Sequence, residues 1–246
     1  MQDNNNIQVS LRGGDCLILM DDLPDKSIDM ILCDLPYGTT SRNKWDSIIP
    51  TDKLWAQYKR IIRDGGAIVL FAQQPFACDL IQSNRKWFRY EWIWEKSCAV
   101  GFLNANRMPL RAHENILVFY NKLPTYNPQK TNGKPYRAKS ANKTSTNYGI
   151  FDGDYQTVNL DGKRYPRDVI RFNGETGYHP TQKPVPLCEY LIKTYTNEGE
   201  LVLDNCMGSG TTGLACVNTN RRFIGMELDK EYLRIAKERL EYHNKL

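Results

Sequence analysis

Two stretches of this 246-residue chain hold residue types at spacings that could do chemistry. Residues 201–229 read LVLDNCMGSGTTGLACVNTNRRFIGMELD, in which Gly208-Ser209-Gly210-Thr211-Thr212-Gly213 fits G-x-G-x-x-G between an apolar run and a helical pattern. In that setting glycines let a ligand approach the backbone, and an acid ending the next strand accepts ribose hydroxyls. Glu227, 17 residues after Gly210, is that acid. A nicotinamide or flavin dinucleotide is one occupant, but Asp204 at the end of the first strand would repel its pyrophosphate. A carboxylate there suits a cofactor with a cationic amino-acid tail and no phosphate. S-adenosylmethionine has that chemistry, with Asp204 toward the ammonium, Glu227 toward the ribose, and Gly208, Ser209, Gly210 and Thr211 as the cradle. Lys183, in His179-Pro180-Thr181-Gln182-Lys183-Pro184 just before a helix start, is placed to pair with the cofactor carboxylate.

The second stretch is Asp34-Leu35-Pro36-Tyr37-Gly38, directly after the apolar run Ile28–Cys33. Open α/β sheets bind ligands at the C-terminal ends of their strands, and this turn sits at such an end. Alone it reads as an ordinary turn; joined to the cofactor loop it is a much narrower signal. Cys33 beside it reads as packing.

These residues need a frame, and outside residues 121–178 short apolar runs alternate with amphipathic stretches. Strands are expected at Ile7–Leu11, Ile28–Cys33, Ala67–Phe71, Leu201–Leu203 and Phe223–Met226, with Gly65-Gly66 read as a break before the third. Helical spacing covers Leu54–Ile62, Phe76–Gln82, Pro184–Thr196, Thr212–Asn218 and Lys230–His243, while Tyr90–Trp94 and Asn115–Tyr120 suit a hairpin at a sheet edge. Near-continuous apolar strands alternating with helices predict an α/β fold, a mostly parallel sheet with helices on both faces.

Composition narrows the class. With 41% hydrophobic and 25% charged residues the chain is globular. No apolar run approaches the ~18 residues that span a bilayer, so no membrane association is expected. The opening MQDNNN is polar, unlike a secretory signal. The seven cysteines are scattered without a C-x-x-C pair, so a reduced, cytoplasmic chain is expected. Three histidines without clustered partners, His113 and His179 among them, give no metal site.

From Asn121 to Pro180 ten Lys/Arg face five Asp/Glu, which accounts for the whole net charge of +5. Eight aromatics are interleaved with them, and hydrophobic periodicity is weak. A solvated loop-rich insertion and a polyanion-binding module both fit that composition.

With these motifs in this order, the sequence resembles the amino-group DNA methyltransferases, which methylate adenine N6 or cytosine N4. In that family a D/N/S-P-P-Y turn carries the chemistry and an F/D-x-G-x-G loop binds S-adenosylmethionine. The turn at 34–37 comes first, the basic insertion second, and HPTQKP with DNCMGSGT last. That order is similar to the beta arrangement, a circular permutation with the cofactor loop C-terminal. The resemblance implies a mostly parallel, seven-stranded Rossmann-like methyltransferase sheet, circularly permuted. It assigns residues 1–120 and 179–246 to a catalytic and S-adenosylmethionine-binding domain, and 121–178 to an inserted target-recognition region. Within that region Lys139, Lys143, Arg164 and Arg167 are the expected DNA contacts. Gly14-Asp15 aligns with the motif whose acid contacts the cofactor adenine.

The turn's implied role has a physical basis. The lone pair of an exocyclic amine is delocalised into its base, so the nitrogen is a poor nucleophile. Acceptors on its two hydrogens, the Asp34 carboxylate and the Leu35 carbonyl, favour a pyramidal nitrogen with its lone pair on the methyl group. Tyr37 stacks on the extruded base. Leu35 departs from the family's proline, but its role falls to a backbone carbonyl, and Pro36 already biases it toward an extended backbone. Asp rather than Ser at position 34 favours adenine N6. The alternatives are a cytosine-N4 enzyme, an RNA methyltransferase and a non-catalytic nucleic-acid binder. Double-stranded DNA is the implied partner, with a homodimer and a cognate restriction nuclease as further ones.

Overall fold

The most apolar runs form the centre of an eight-stranded sheet. The computed structural model describes residues 8–38, 48–138, 144–145, 149–150, 157–178 and 182–243. The sheet contains β1 (Val9–Gly13), β2 (Ile28–Asp34), β3 (Ile62–Ala72), β4 (Phe88–Val100), β5 (Arg111–Phe119), β6 (Val169–Phe172), β7 (Leu201–Asp204) and β8 (Arg222–Glu227). Their spatial order is β1-β8-β7-β2-β3-β5-β4-β6. β5 runs antiparallel to both its neighbours, β3 and β4, and every other pair is parallel.

The period of two along β2 and β3 divides the apolar residues between two cores. Ile31, Cys33, Ile68 and Leu70 face one side and pack with α1 (Cys16–Asp21), α2 (Thr51–Ile61) and α3 (Phe76–Ser83). Met30, Leu32, Ala67 and Val69 face the other, with α4 (Val185–Tyr195), α5 (Thr211–Asn218) and α6 (Lys230–His243). All eight of those strand side chains have no exposed surface. Burial on both faces explains why these strands read as continuous apolar runs.

Three local expectations change. Eight strands replace the expected seven because Val169–Phe172 adds in parallel to the outer edge of β4, burying Ile170. Gly65-Gly66 does not break the chain: β3 begins at Ile62, directly after α2, and the register shifts opposite Ile28 and Met30. A Cβ on Gly66 would stand 2.8 Å from the Asp29 carbonyl, so the strands' close approach there requires glycine. Helix α1 was not expected; its six residues are too few to show a period.

The chain forms two compact units, Met1–Asn127 with Asp168–Leu246, and Pro128–Arg167. The small unit lies within residues 121–178. Asn127 stays with the large unit, its side-chain amide donating to the Lys193 and Thr196 carbonyls at 3.2 and 3.1 Å. The small unit pairs Tyr136–Ala138 with Thr157–Asn159, and Thr131–Asn132 with Lys163–Arg164, as antiparallel ribbons.

Candidate active site

Two carboxylates far apart in sequence meet at one rim of the sheet. β7 lies beside β2 with Val202 opposite Met30 and Leu203 opposite Ile31, so Asp34 and Asp204 end neighbouring parallel strands on the same side.

At the end of β2 the turn is braced by its own aromatic. The Tyr37 hydroxyl donates to Asp34 Oδ1 at 2.5 Å. Its ring stacks on Phe76 with centroids 5.2 Å apart and planes inclined 29°. Burial, and then the carboxylates of Asp34 and Glu114, hold the Tyr37 phenol well above its ordinary pKa, so it serves as a neutral donor. Leu35 is buried against the α1–α3 face, and burial pushes the Cys33 thiol up to about 12, consistent with a packing role. The other Asp34 oxygen, Oδ2, accepts from the Lys183 ammonium. The same ammonium lies 3.4 Å from Glu114 Oε2, while Lys96 donates to Glu114 Oε1. The sequence places Lys183 at a cofactor carboxylate; the structure instead gives it to Asp34 and Glu114. Burial alone would lower its pKa, but those two carboxylates outweigh burial and raise it.

The end of β7 carries the glycine loop. Asp204 is 3% exposed; its Oδ2 accepts from the Thr212 hydroxyl at 2.6 Å and its Oδ1 from the Cys206 amide at 3.1 Å. Burial dominates over these bonds and raises its pKa to about 7. Gly208 and Gly210 adopt positive φ, 53° and 82°. A Cβ on Gly213 would stand 2.7 Å from the Phe223 ring, the close helix–strand packing that the third glycine of the motif permits. On the neighbouring strand Glu227 Oε2 accepts from the Gly208 amide and Oε1 from the Asp229 amide, each at 2.8 Å. Burial raises the Glu227 carboxyl against the pull of those amides. Asp15 caps α1, accepting from the Leu17 amide at 2.8 Å, and Gly13 pairs with Glu227 across β1 and β8. Asp15, Asp204, Glu227 and the loop Gly208–Thr211 therefore share one end of three adjacent strands.

This geometry fits S-adenosylmethionine. Asp204 is a buried carboxylate that its surroundings leave hard to ionise, which a ligand ammonium would relieve. The glycine loop brings bare backbone to the rim, and Glu227 is held by two amides with lone pairs to spare.

Comparison with known proteins agrees. Residues 28–238 match the model of the DNA methylase family of N6 and N4 methyltransferases. The chain belongs to that family. It is 30% identical to the type II methyltransferase M.HpaI of Haemophilus parainfluenzae over 237 residues, covering 89% of this chain and 70% of that protein. It is 26% identical to the DNA adenine methyltransferase YhdJ of Escherichia coli K12, covering 93% of this chain and 81% of that one. The solved complex of M1.HpyAVI with S-adenosylmethionine superposes with a TM-score of 0.67 at 25% identity, over 95% of this chain and 100% of the other.

As an N6/N4 DNA methylase the chain uses S-adenosylmethionine, and several residues of its site were not legible in the sequence. Glu114 and Lys96 lie on the antiparallel strands β5 and β4, with no motif around them. Phe76 opens α3, and Arg239 projects from α6 to donate to Thr211 Oγ1 at 3.0 Å and to the Ser209 carbonyl at 3.3 Å. Thr212 stood inside the glycine motif, and its hydroxyl on Asp204 is the one signal that could have been read.

The expected DNA contacts fare differently from one another. Lys139 and Lys143 lie outside the described residues. Arg164 is partly buried. Its guanidinium donates to the carbonyls of Gly162 (2.9 Å) and Lys134 and to Asn159 Oδ1 (3.1 Å), and stacks 4.7 Å from the Tyr136 ring. These bonds tie segments of the small unit to one another. Arg167 is exposed, as are Lys130 and Tyr165, whose ring carries the Lys130 ammonium at 4.3 Å. Among the described residues no three His, Cys, Asp or Glu side chains converge to hold a metal, and no helix is long and apolar enough to cross a membrane.

Proposed function

We propose that the protein is a site-specific DNA methyltransferase that modifies adenine N6 of a base flipped out of double-stranded DNA. One observation carries the reading: the amine-acceptor turn at Asp34 and the cofactor loop at Asp204 end adjacent strands of one rim. Asp15, Glu227, Asp204 and the loop Gly208–Thr211 hold S-adenosylmethionine, which supplies an electrophilic methyl group on a sulfonium. The target amine donates to the Asp34 carboxylate and to the Leu35 carbonyl, and Tyr37 supports the base by stacking. Positioning and electrostatics provide the catalysis, since the rim holds both reactants in line. The methylated amine sheds one proton, and the Asp34 carboxylate that accepts its hydrogen bond can receive it. Asp at position 34 and one relative named as a DNA adenine methyltransferase support N6 over N4.

The exposed cations of Pro128–Arg167 support reading that unit as the target-recognition region, its charge contacting phosphates while other side chains read bases. The type II naming of the relatives supports a cognate restriction nuclease as a partner; a cytoplasmic location and a second copy of the chain are proposed from the family resemblance alone. Transfer of tritiated methyl groups to duplex DNA, followed by nucleoside analysis, tests the reading. N6-methyladenine is expected. N4-methylcytosine would overturn the base assignment, and label in RNA alone would overturn the substrate class.

A further inference from the structure

The catalytic turn is one end of a chain of alternating charges that the reaction, as described, does not use. Asp34, Lys183, Glu114 and Lys96 run negative, positive, negative, positive, each touching the next. Lys183 and Glu114 are each 8% exposed, and the Lys183 ammonium lies 5.2 Å from the Phe71 ring centroid. The segment bearing Lys183 is 149 residues from Asp34, so the contact is a product of the fold.

Two details make this more than a structural ion pair. Both Asp34 oxygens are engaged, Oδ1 by Tyr37 and Oδ2 by Lys183, so a base amine that reaches Asp34 either shares an oxygen with one of these donors or takes its place. Meanwhile Glu114 Oε2 is buried without a hydrogen bond, though Lys183 is within ion-pair distance of it. A buried acceptor whose hydrogen bond is not fully made is costly, and the ammonium already beside it can close that gap. The Tyr37 phenol is neutral, and its hydroxyl can remain on Oδ1. A cation left on Oδ2 would also oppose the positive charge that develops on the amine nitrogen during transfer.

We infer that Lys183 is a positioning residue for Asp34: its ammonium holds the carboxylate in the free enzyme and shifts onto Glu114 Oε2 when the target amine takes its place. Lys96 keeps Glu114 ionised and in position for the exchange. Asp34 thereby stays aimed and paired in a buried turn, yet presents a full anionic acceptor once the base arrives. This inference rests on the methyltransferase reading.

Lys183→Met, Lys183→Arg, Glu114→Gln and the double variant Lys183→Met/Glu114→Gln test it on the full chain. The readouts are kcat and KM for duplex DNA, S-adenosylmethionine affinity by calorimetry, and thermal melting. Lys183→Met should lower kcat on the order of 100-fold, the scale of losing one preorganised polar group at a transition state, with cofactor affinity unchanged. Lys183→Arg keeps the charge and a folded protein, but its planar fork bridges both carboxylates and cannot hand Asp34 over, so kcat should not recover. Glu114→Gln should lower kcat about tenfold with little change in KM, and should add nothing in the Lys183→Met background. Four results would each overturn the inference: wild-type kcat in both single Lys183 variants, full rescue by arginine, independent effects in the double variant, or a loss confined to cofactor affinity. If the wild type transfers no methyl group to DNA, the functional reading itself fails.

Discussion

With Asp204 proposed to receive the S-adenosylmethionine ammonium, cofactor binding should depend on pH. Its carboxyl is buried, and burial raises its pKa from 3.8 to about 7. A raised carboxyl favours the protonated folded form, so its stabilising contribution to the free protein is complete below 3.8 and lost as pH rises through about 7. Only the ionised form attracts the S-adenosylmethionine ammonium. About half of the free protein is ionised near pH 7 but only a few per cent at pH 5.5, so affinity should fall roughly tenfold between them, on the order of 1–2 kcal/mol. Binding should release nearly one proton at the lower pH and about half of one at the higher. Calorimetry at both pH values, in buffers of different ionisation enthalpy, reads the affinity and the proton count together. Asp204→Asn should bind more weakly at pH 7 and show no such slope. A wild-type affinity that is the same at both values, or an Asn variant that follows the wild-type curve, would refute the placement of the ammonium.

Asp34→Ala should abolish methyl transfer, measured with tritiated cofactor, while DNA and S-adenosylmethionine affinities stay within about tenfold, or roughly 1.4 kcal/mol. Lys183 retains Glu114 in that variant, so the fold should survive. Glu227→Ala should weaken S-adenosylmethionine by ~1.5–3 kcal/mol in calorimetry, the scale of a hydrogen bond to a charged group. Gly213→Ala sets a Cβ 2.7 Å from the Phe223 ring. Urea titration should show a loss of about 1–3 kcal/mol from overpacking, despite alanine's better helix propensity. Arg167→Gln should lower the salt slope of DNA binding by about 0.9 if one phosphate contact is lost. Arg164→Gln should instead increase protease cleavage within Pro128–Arg167, because its guanidinium ties the Gly162 and Lys134 carbonyls.

What the sequence determined was everything written in local pattern. Apolar runs without alternation marked β2 and β3 as strands buried on both faces, because two helical layers cover them. The glycine spacing at 208–213, with Asp204 before it and Glu227 after, marked the cofactor loop, since positive φ and close approach demand glycine at set positions. Asp34-Leu35-Pro36-Tyr37, an ordinary turn by itself, became the candidate catalytic turn only beside that loop and through the family resemblance. Only the tertiary structure could show that the two sites adjoin, because β7 enters the sheet beside a strand that precedes it by some 170 residues. It also redirected the charges. Lys183 and Arg164 look like free cations in sequence, but a long cationic side chain goes to whatever acceptors folding brings within reach. For Lys183 those are Asp34 and Glu114, and for Arg164 they are carbonyls of its own unit. Glu114 and Lys96 carried no signal at all, since a buried ion pair across antiparallel strands is a register effect, and register is settled by how whole strands pack.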